Sequence, residues 1–170
     1  MSTIIEKFNQ VKGQRMEELG RMDANADAAI KLAVGAIVLA AVIPTAFNWA
    51  LIASAMGTLC VKIGNCYGFT FTAGQAKDLI KQFVYGAGFC FLSLNVGSKI
   101  FCALMECTGF GYIMGAAIDA AMSAAMVYAI GQSAKEYFHQ LVLGRKISPK
   151  EIGATTFRRS FREYKAGMTE

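Results

Sequence analysis

Thirty consecutive residues, Leu32 to Val61, carry no charge. A helix drawn through them would be apolar on every side, and such a helix is either buried in a protein core or surrounded by lipid. A membrane-spanning helix needs about 20 apolar residues, so the run is long enough to hold one. Pro44 divides it, inside the stretch "VLAAVIPTAFNWALI". Proline removes a backbone donor and steers the preceding Ile43 away from helical geometry. The run is therefore expected to form two helices, over about 26–43 and 46–67, folded into a hairpin. Pro44, Asn48 and Trp49 would sit at its tip, and tryptophan favours a membrane–water interface.

The same pattern continues. Residues 32 to 134 carry only Lys62, Lys77, Asp78, Lys81, Lys99, Glu106 and Asp119 as charges, while the head is charge-balanced and the last 36 residues hold eight Lys/Arg against four acids. Strand alternation is poor, so the chain reads as all-α. Two helical hairpins, about four long apolar helices in all, are expected over 26–145. An amphipathic N-terminal segment precedes them (1–25), with Ile4, Ile5, Phe8, Val11 and Leu19 on its apolar side, and a basic C-terminal helix follows (146–170). Asp23 or Asn25 is expected to cap the first helix of the hairpins. Tyr67-Gly68 should end the second helix and Thr72 should start the third, which runs over 73–106 with a kink at Gly86, Gly88 or Gly97. The fourth helix should run over 111–143 and stop at Gly144. Ser148, Pro149 and Glu151 look like a helix start with a capping box.

Few residues suggest chemistry. Gly111, Gly115 and Ala120 belong to rows of small residues at four-residue spacing, which let helices approach closely. Asp119 lies in the middle of an apolar helix, where an acid faces a partner or a water-filled space. Lys99 and Glu106 are seven apart, share a helix face and read as a structural pair. His139 is the only histidine and is expected on the surface. The five cysteines all lie in apolar stretches and read as reduced, buried thiols. No catalytic constellation, cofactor motif or metal-ligand spacing stands out, and GxxxxGK[ST] is absent. The N-terminus lacks the form of a signal peptide, so the chain is expected to begin on the cytoplasmic side. In the tail, Phe157, Phe161 and Tyr164 share one helix face, with Arg158, Arg159, Arg162 and Lys165 around it. A basic amphipathic helix of this kind suits an anionic lipid surface or an acidic partner, and equally a solvated helix packed on the protein by two of its aromatics. Nucleic acid is not expected, because no binding fold surrounds the patch.

The segments "AVIPTAFNWALIASAMGTLCVKIGNCYG", "AKDLIKQFVYGAG" and "GFGYIMGAAIDAAMSAAMVYAIGQSAKEYF" resemble a bacterial domain family of unknown function. That family is often fused to or encoded beside small Era-like GTP-binding proteins, and it includes inner-membrane proteins of the YcjF type. The positions that carry the likeness are Ile43-Pro44, Tyr67-Gly68, Gly109, Gly111, Asp119, Tyr128, Gly131, Tyr137 and Phe138, within about residues 30 to 165. The family commonly shows "IPIP" followed by an acid where this chain has "IPTAFNW". The resemblance implies an all-helical, membrane-associated domain with a GTPase partner, and no catalytic residue.

The expected function is a non-enzymatic membrane domain that partners or regulates a cytoplasmic Era-like GTPase supplied by another chain. Two hairpins would place both termini and the 62–81 segment on the side richer in Lys/Arg, the cytoplasmic face of a bacterial inner membrane. The tail and the 62–81 segment would form the partner surface. A homo-oligomeric membrane pore lined by Asp119 is one alternative. A soluble oligomeric helical scaffold, whose apolar helices form a shared core, is the other.

Overall fold

The computed structural model describes residues 2–40, 48–92 and 120–167, which are helical apart from the short connections 67–72 and 143–148, with no strand among them. Helix α1 spans Ser2–Ala40, α2 Asn48–Cys66, α3 Ala73–Leu92 and α4 Ala120–Val142. The tail is helical from end to end, as α5 (Pro149–Ile152), a wider π segment (Gly153–Phe157) and α6 (Arg158–Ala166). No helix among the described residues is long and apolar enough to cross a membrane.

Helices α1, α2 and α4 pack against one another, with α1 and α4 in the broadest contact. Their shared interior holds Ile30, Ile63, Val127 and Ile130, each almost fully buried. Small residues make this possible. Ala124, Ala125 and Ala129 of α4 are buried, and a methyl group on Gly131 would come within 2.7 Å of Ile30 and 3.2 Å of Leu59. At this level the Ile30 and Leu59 side chains pack directly on the backbone of α4.

The helix ends follow local chemistry. Gly68 and Gly144 adopt φ of 80° and 73°, a region that costs other residues energy. At each, paired bonds close a Schellman motif: Phe69 N–H to Gly64 O and Gly68 N–H to Asn65 O, then Arg145 N–H to Gln140 O and Gly144 N–H to Leu141 O. Thr72 and Gln75 form the reciprocal box that starts α3: the Gln75 N–H donates to Thr72 Oγ1 and the Thr72 N–H donates to Gln75 Oε1. Pro149 opens the tail as expected, but Ser148 makes no side-chain cap bond, so the box with Glu151 is not formed.

Three expectations change. The break near residue 25 does not occur: α1 is one helix of 39 residues, about 58 Å long at 1.5 Å per residue. No proline or helix-ending glycine interrupts it there, and the Asp23 carboxylate is used across the bundle instead of capping. The third helix passes through Gly86 without a break. Finally, α3 and α4 do not form a close pair, because the tail lies between them, packing on α3 with its first half and on α4 with its second. Glycines explain this insertion. A methyl group on Gly86 would lie 1.9 Å from the Lys150 carbonyl oxygen, and one on Gly153 would lie 2.0 Å from the Phe83 carbonyl oxygen. The two backbones are in contact, and the absent side chains are what bring them there.

Candidate functional site

Two acids one helical turn apart on α1, Asp23 and Asp27, face two basic residues one turn apart on α4, Lys135 and His139. Lys135 Nζ donates to Asp27 Oδ2 at 2.7 Å, and His139 Nδ1 lies 3.0 Å from Asp23 Oδ1. The Tyr67 hydroxyl, just past the end of α2, donates to the same Asp23 oxygen. One carboxylate thus joins α1, α2 and α4, with an ion pair beside it. His139 is half-buried, with 26 % of its side chain exposed, which corrects the expectation of a free surface residue. It lies where α4 still faces α1, one turn before the helix ends.

The electrostatics fit a structural clasp. Burial works to raise the Asp23 carboxyl. The hydrogen bonds from His139 and Tyr67, with the charges of His139 and Lys135, outweigh that and hold it below its ordinary value. Burial and the Asp23 carboxylate push the Tyr67 hydroxyl well above its ordinary range, so it stays protonated and donates. Among the described residues, neither Ser133 nor Cys60 is set up as a nucleophile. The nearby Ser133 hydroxyl is buried and donates to Ala129 O at 2.8 Å, while burial pushes the Cys60 thiol up to about 12. Cys66 is a half-buried free thiol. Among the described residues no group of three or more His, Cys, Asp or Glu could hold a metal ion.

A carboxyl held low in the fold stabilises it fully above the ordinary value of 3.8. That stabilisation is lost as pH falls through the lower folded value, because the unfolded chain takes up the proton first. Denaturation midpoints followed downward from neutral pH should therefore drop for the wild type below pH about 4. Asp23→Asn should start lower at neutral pH and fall less steeply in acid. Parallel acid limbs for the two proteins would remove Asp23 from this role.

Beyond the clasp, toward the other end of the bundle, charge disappears. Residues 32–40 of α1, 48–61 of α2 and 120–134 of α4 contain none. The three segments lie on helices that pack together, and they begin beside the Ile30–Leu59–Gly131 approach. Leu32 and Leu39 nevertheless stand 69 % and 75 % exposed. The tail runs beside this half of α4, with the Tyr164 ring 5.0 Å from that of Tyr128. Arg158, Arg159 and Arg162 point outward from it and are exposed. Arg159 makes one long contact with Glu163, 3.9 Å on the surface.

The tail's aromatic face is not a surface. Phe157 is fully buried and Phe161 nearly so, their rings stacked 6.2 Å apart. They are covered by the fold, so among the described side chains of the expected partner or lipid surface the arginines are the ones left outside. The side chain of Lys165 is outside the described residues, as are those of Asn48, Trp49 and Ala120, whose backbones belong to α2 and α4. Pro44, Lys99, Glu106, Gly111, Gly115 and Asp119 also lie outside them. The clasp itself was not expected. Its signal in the sequence was two i, i+4 pairs of opposite sign, Asp23/Asp27 and Lys135/His139, in register for antiparallel helices.

No curated protein and no solved structure matches the chain. A family model does, that of the domain of unknown function DUF697, over residues 13–161. This span takes in the clasp, the charge-free end and most of the tail, and the chain belongs to the DUF697 domain family.

Proposed function

We propose that this domain is a non-enzymatic, membrane-associated adaptor whose charge-free end sits in lipid and whose cytoplasmic partner is an Era-like GTPase. The observation that carries the lipid part is the joint placement of three uncharged helix segments, exposed Leu32 and Leu39, and the outward arginines of the tail. Length limits the depth. Nine residues of α1 and fifteen of α4 measure about 14 Å and 22 Å, against about 30 Å for a hydrocarbon core. These segments suit entry into one leaflet, with Arg158, Arg159 and Arg162 near anionic headgroups. On this reading the domain is held at a bacterial inner membrane with both termini in the cytoplasm. The GTPase partner is supported by the family resemblance alone.

Flotation of the full chain with vesicles tests the reading. Vesicles containing anionic phospholipid should carry the protein, and purely zwitterionic ones should carry less. Replacing all three arginines by alanine should weaken the anionic preference by about 10- to 100-fold, at about 1 kcal/mol per charge near the surface, less for Arg159 because of Glu163. Leu32→Glu with Leu39→Glu should abolish flotation. A wild-type chain that stays at the bottom with every vesicle sinks the lipid reading. In that case the exposed leucines favour the oligomeric scaffold, in which a second copy covers them.

A further inference from the structure

At the end of the bundle away from the charge-free segments, α1 outruns its neighbours. Residues 12–18 are all exposed, and Leu19 is the first buried one among the described side chains. Between this part of α1 and the end of α4 lies an open groove of about 580 Å³. Met16, Leu19, Met22, Val142 and Leu143 give it an apolar lining. Met16 is 60 % exposed, and Val142 and Leu143 are above 40 %. Grouped apolar exposure of this kind marks interaction sites more often than scattered surface leucines do.

The charges around the groove are uneven. Lys12 and Arg15 line one end, and among the described residues Glu18 is the one acid lining it. Past the tight turn at Gly144 come Arg145 and Lys146, both exposed. Arg145 also donates to Gln140 Oε1 at 3.2 Å. The groove is thus an apolar floor whose charged lining is two cations, Lys12 and Arg15, against Glu18.

We propose that this groove is the docking site for an amphipathic, net-acidic helix of a partner protein. A helix laid into an apolar groove is a recurring mode of recognition, and opposite charge at the rim selects the partner and its direction. A second copy of α1 fits poorly. Parallel pairing sets Lys12 and Arg15 against themselves. Antiparallel pairing that matches the two ends sets them against Met22 and Leu19 and buries two unpaired cations, a heavy cost. A helix with apolar residues toward Met22 and Leu143 and with acids toward Lys12 and Arg15 satisfies both ends. The site does not rest on the lipid reading, because it uses the opposite end of the bundle.

Fluorescence anisotropy with the full chain tests it. The probe is a labelled synthetic helix with leucine along one face and glutamate on the other, compared with the same peptide carrying lysine for glutamate. The glutamate peptide should bind about tenfold or more tighter, and high salt should weaken it. Met16→Asp and Leu143→Asp should each abolish binding. Lys12→Glu with Arg15→Glu should reverse the preference toward the lysine peptide. All four positions are exposed, so the variants should keep the wild-type melting curve and vesicle flotation. Loss of flotation alone would strike the lipid reading and leave the groove intact. Equal binding of both peptides, or none, overturns the proposal. So does a dimer in sedimentation that Met16→Asp dissolves, since a second copy would then be the occupant.

Discussion

Gly86→Ala should loosen the tail from α3 and destabilise the domain by about 3 kcal/mol, near the upper end of the usual cost of overpacking. A single methyl group rarely does so much. Here the atom it would strike, at 1.9 Å, is a backbone carbonyl oxygen of Lys150 and not the end of a flexible side chain. Rotamer change cannot relieve the clash, so one helix must move off the other toward an ordinary contact of 3.4 Å. That shift opens gaps around Phe83 and Phe157, both fully buried. The melting temperature should fall by roughly 6–12 °C for a domain of this size, and trypsin should cut at Arg158, Arg159 and Arg162 more readily. Gly153→Ala meets Phe83 O at 2.0 Å and should do the same. Because both variants unseat one tail, their effects should add to less than the sum. Gly57 has nothing within 4 Å, and Gly57→Ala should be neutral or stabilising by up to about 1 kcal/mol, the helix-propensity gain. If Gly86→Ala melts with the wild type and resists trypsin equally, the tail is not seated between α3 and α4.

Those glycines show where the sequence could and could not be read. The all-helical class followed from poor alternation and small-residue content. The boundaries at Gly68, Thr72, Gly144 and Pro149 followed from backbone chemistry that acts within a few residues. Gly86, with Gly88 and Gly97, suggests a kink because glycine lowers helix propensity, and propensity is blind to a neighbouring backbone. The tail aromatics leave a lipid or partner surface and a packed helix both open, because an apolar stripe has the same period whether lipid, a partner or the chain's own core covers it. Only the placement of α3 decides among these. The clasp was hidden for a related reason. Asp23 and Asp27 look like ordinary surface acids until α4 is brought alongside in antiparallel register, when Lys135 and His139 meet them. The charge-free run was visible from the start, but its gathering at one end of three helices needed the fold.

Phe138→Ala should be among the most damaging single substitutions in the core, at about 3–5 kcal/mol, or roughly 6–20 °C in melting temperature. Phe138 is fully buried. Its ring centroid lies 5.2 Å from that of Phe71, 5.5 Å from Phe69 and 6.3 Å from Tyr67, and its edge rests over Gly64, where a methyl would be only 3.2 Å away. The ring therefore holds the turn between α2 and α3 onto α4, and truncation leaves that turn over a cavity. Phe138→Leu keeps most of the volume and loses mainly the ring contacts, each worth about 0.5–1.5 kcal/mol, so it should cost clearly less than alanine. The effect should also reach the clasp. Tyr67 packs on Phe138 with its ring and donates to Asp23 with its hydroxyl. A double-mutant cycle between Phe138→Ala and Asp23→Asn should then show coupling of about 0.5 kcal/mol or more. Removing the ring frees Tyr67, so the carboxylate has less to lose when it is replaced in that background. Additive losses would mean that the aromatic cluster and the clasp hold α2 to α4 independently.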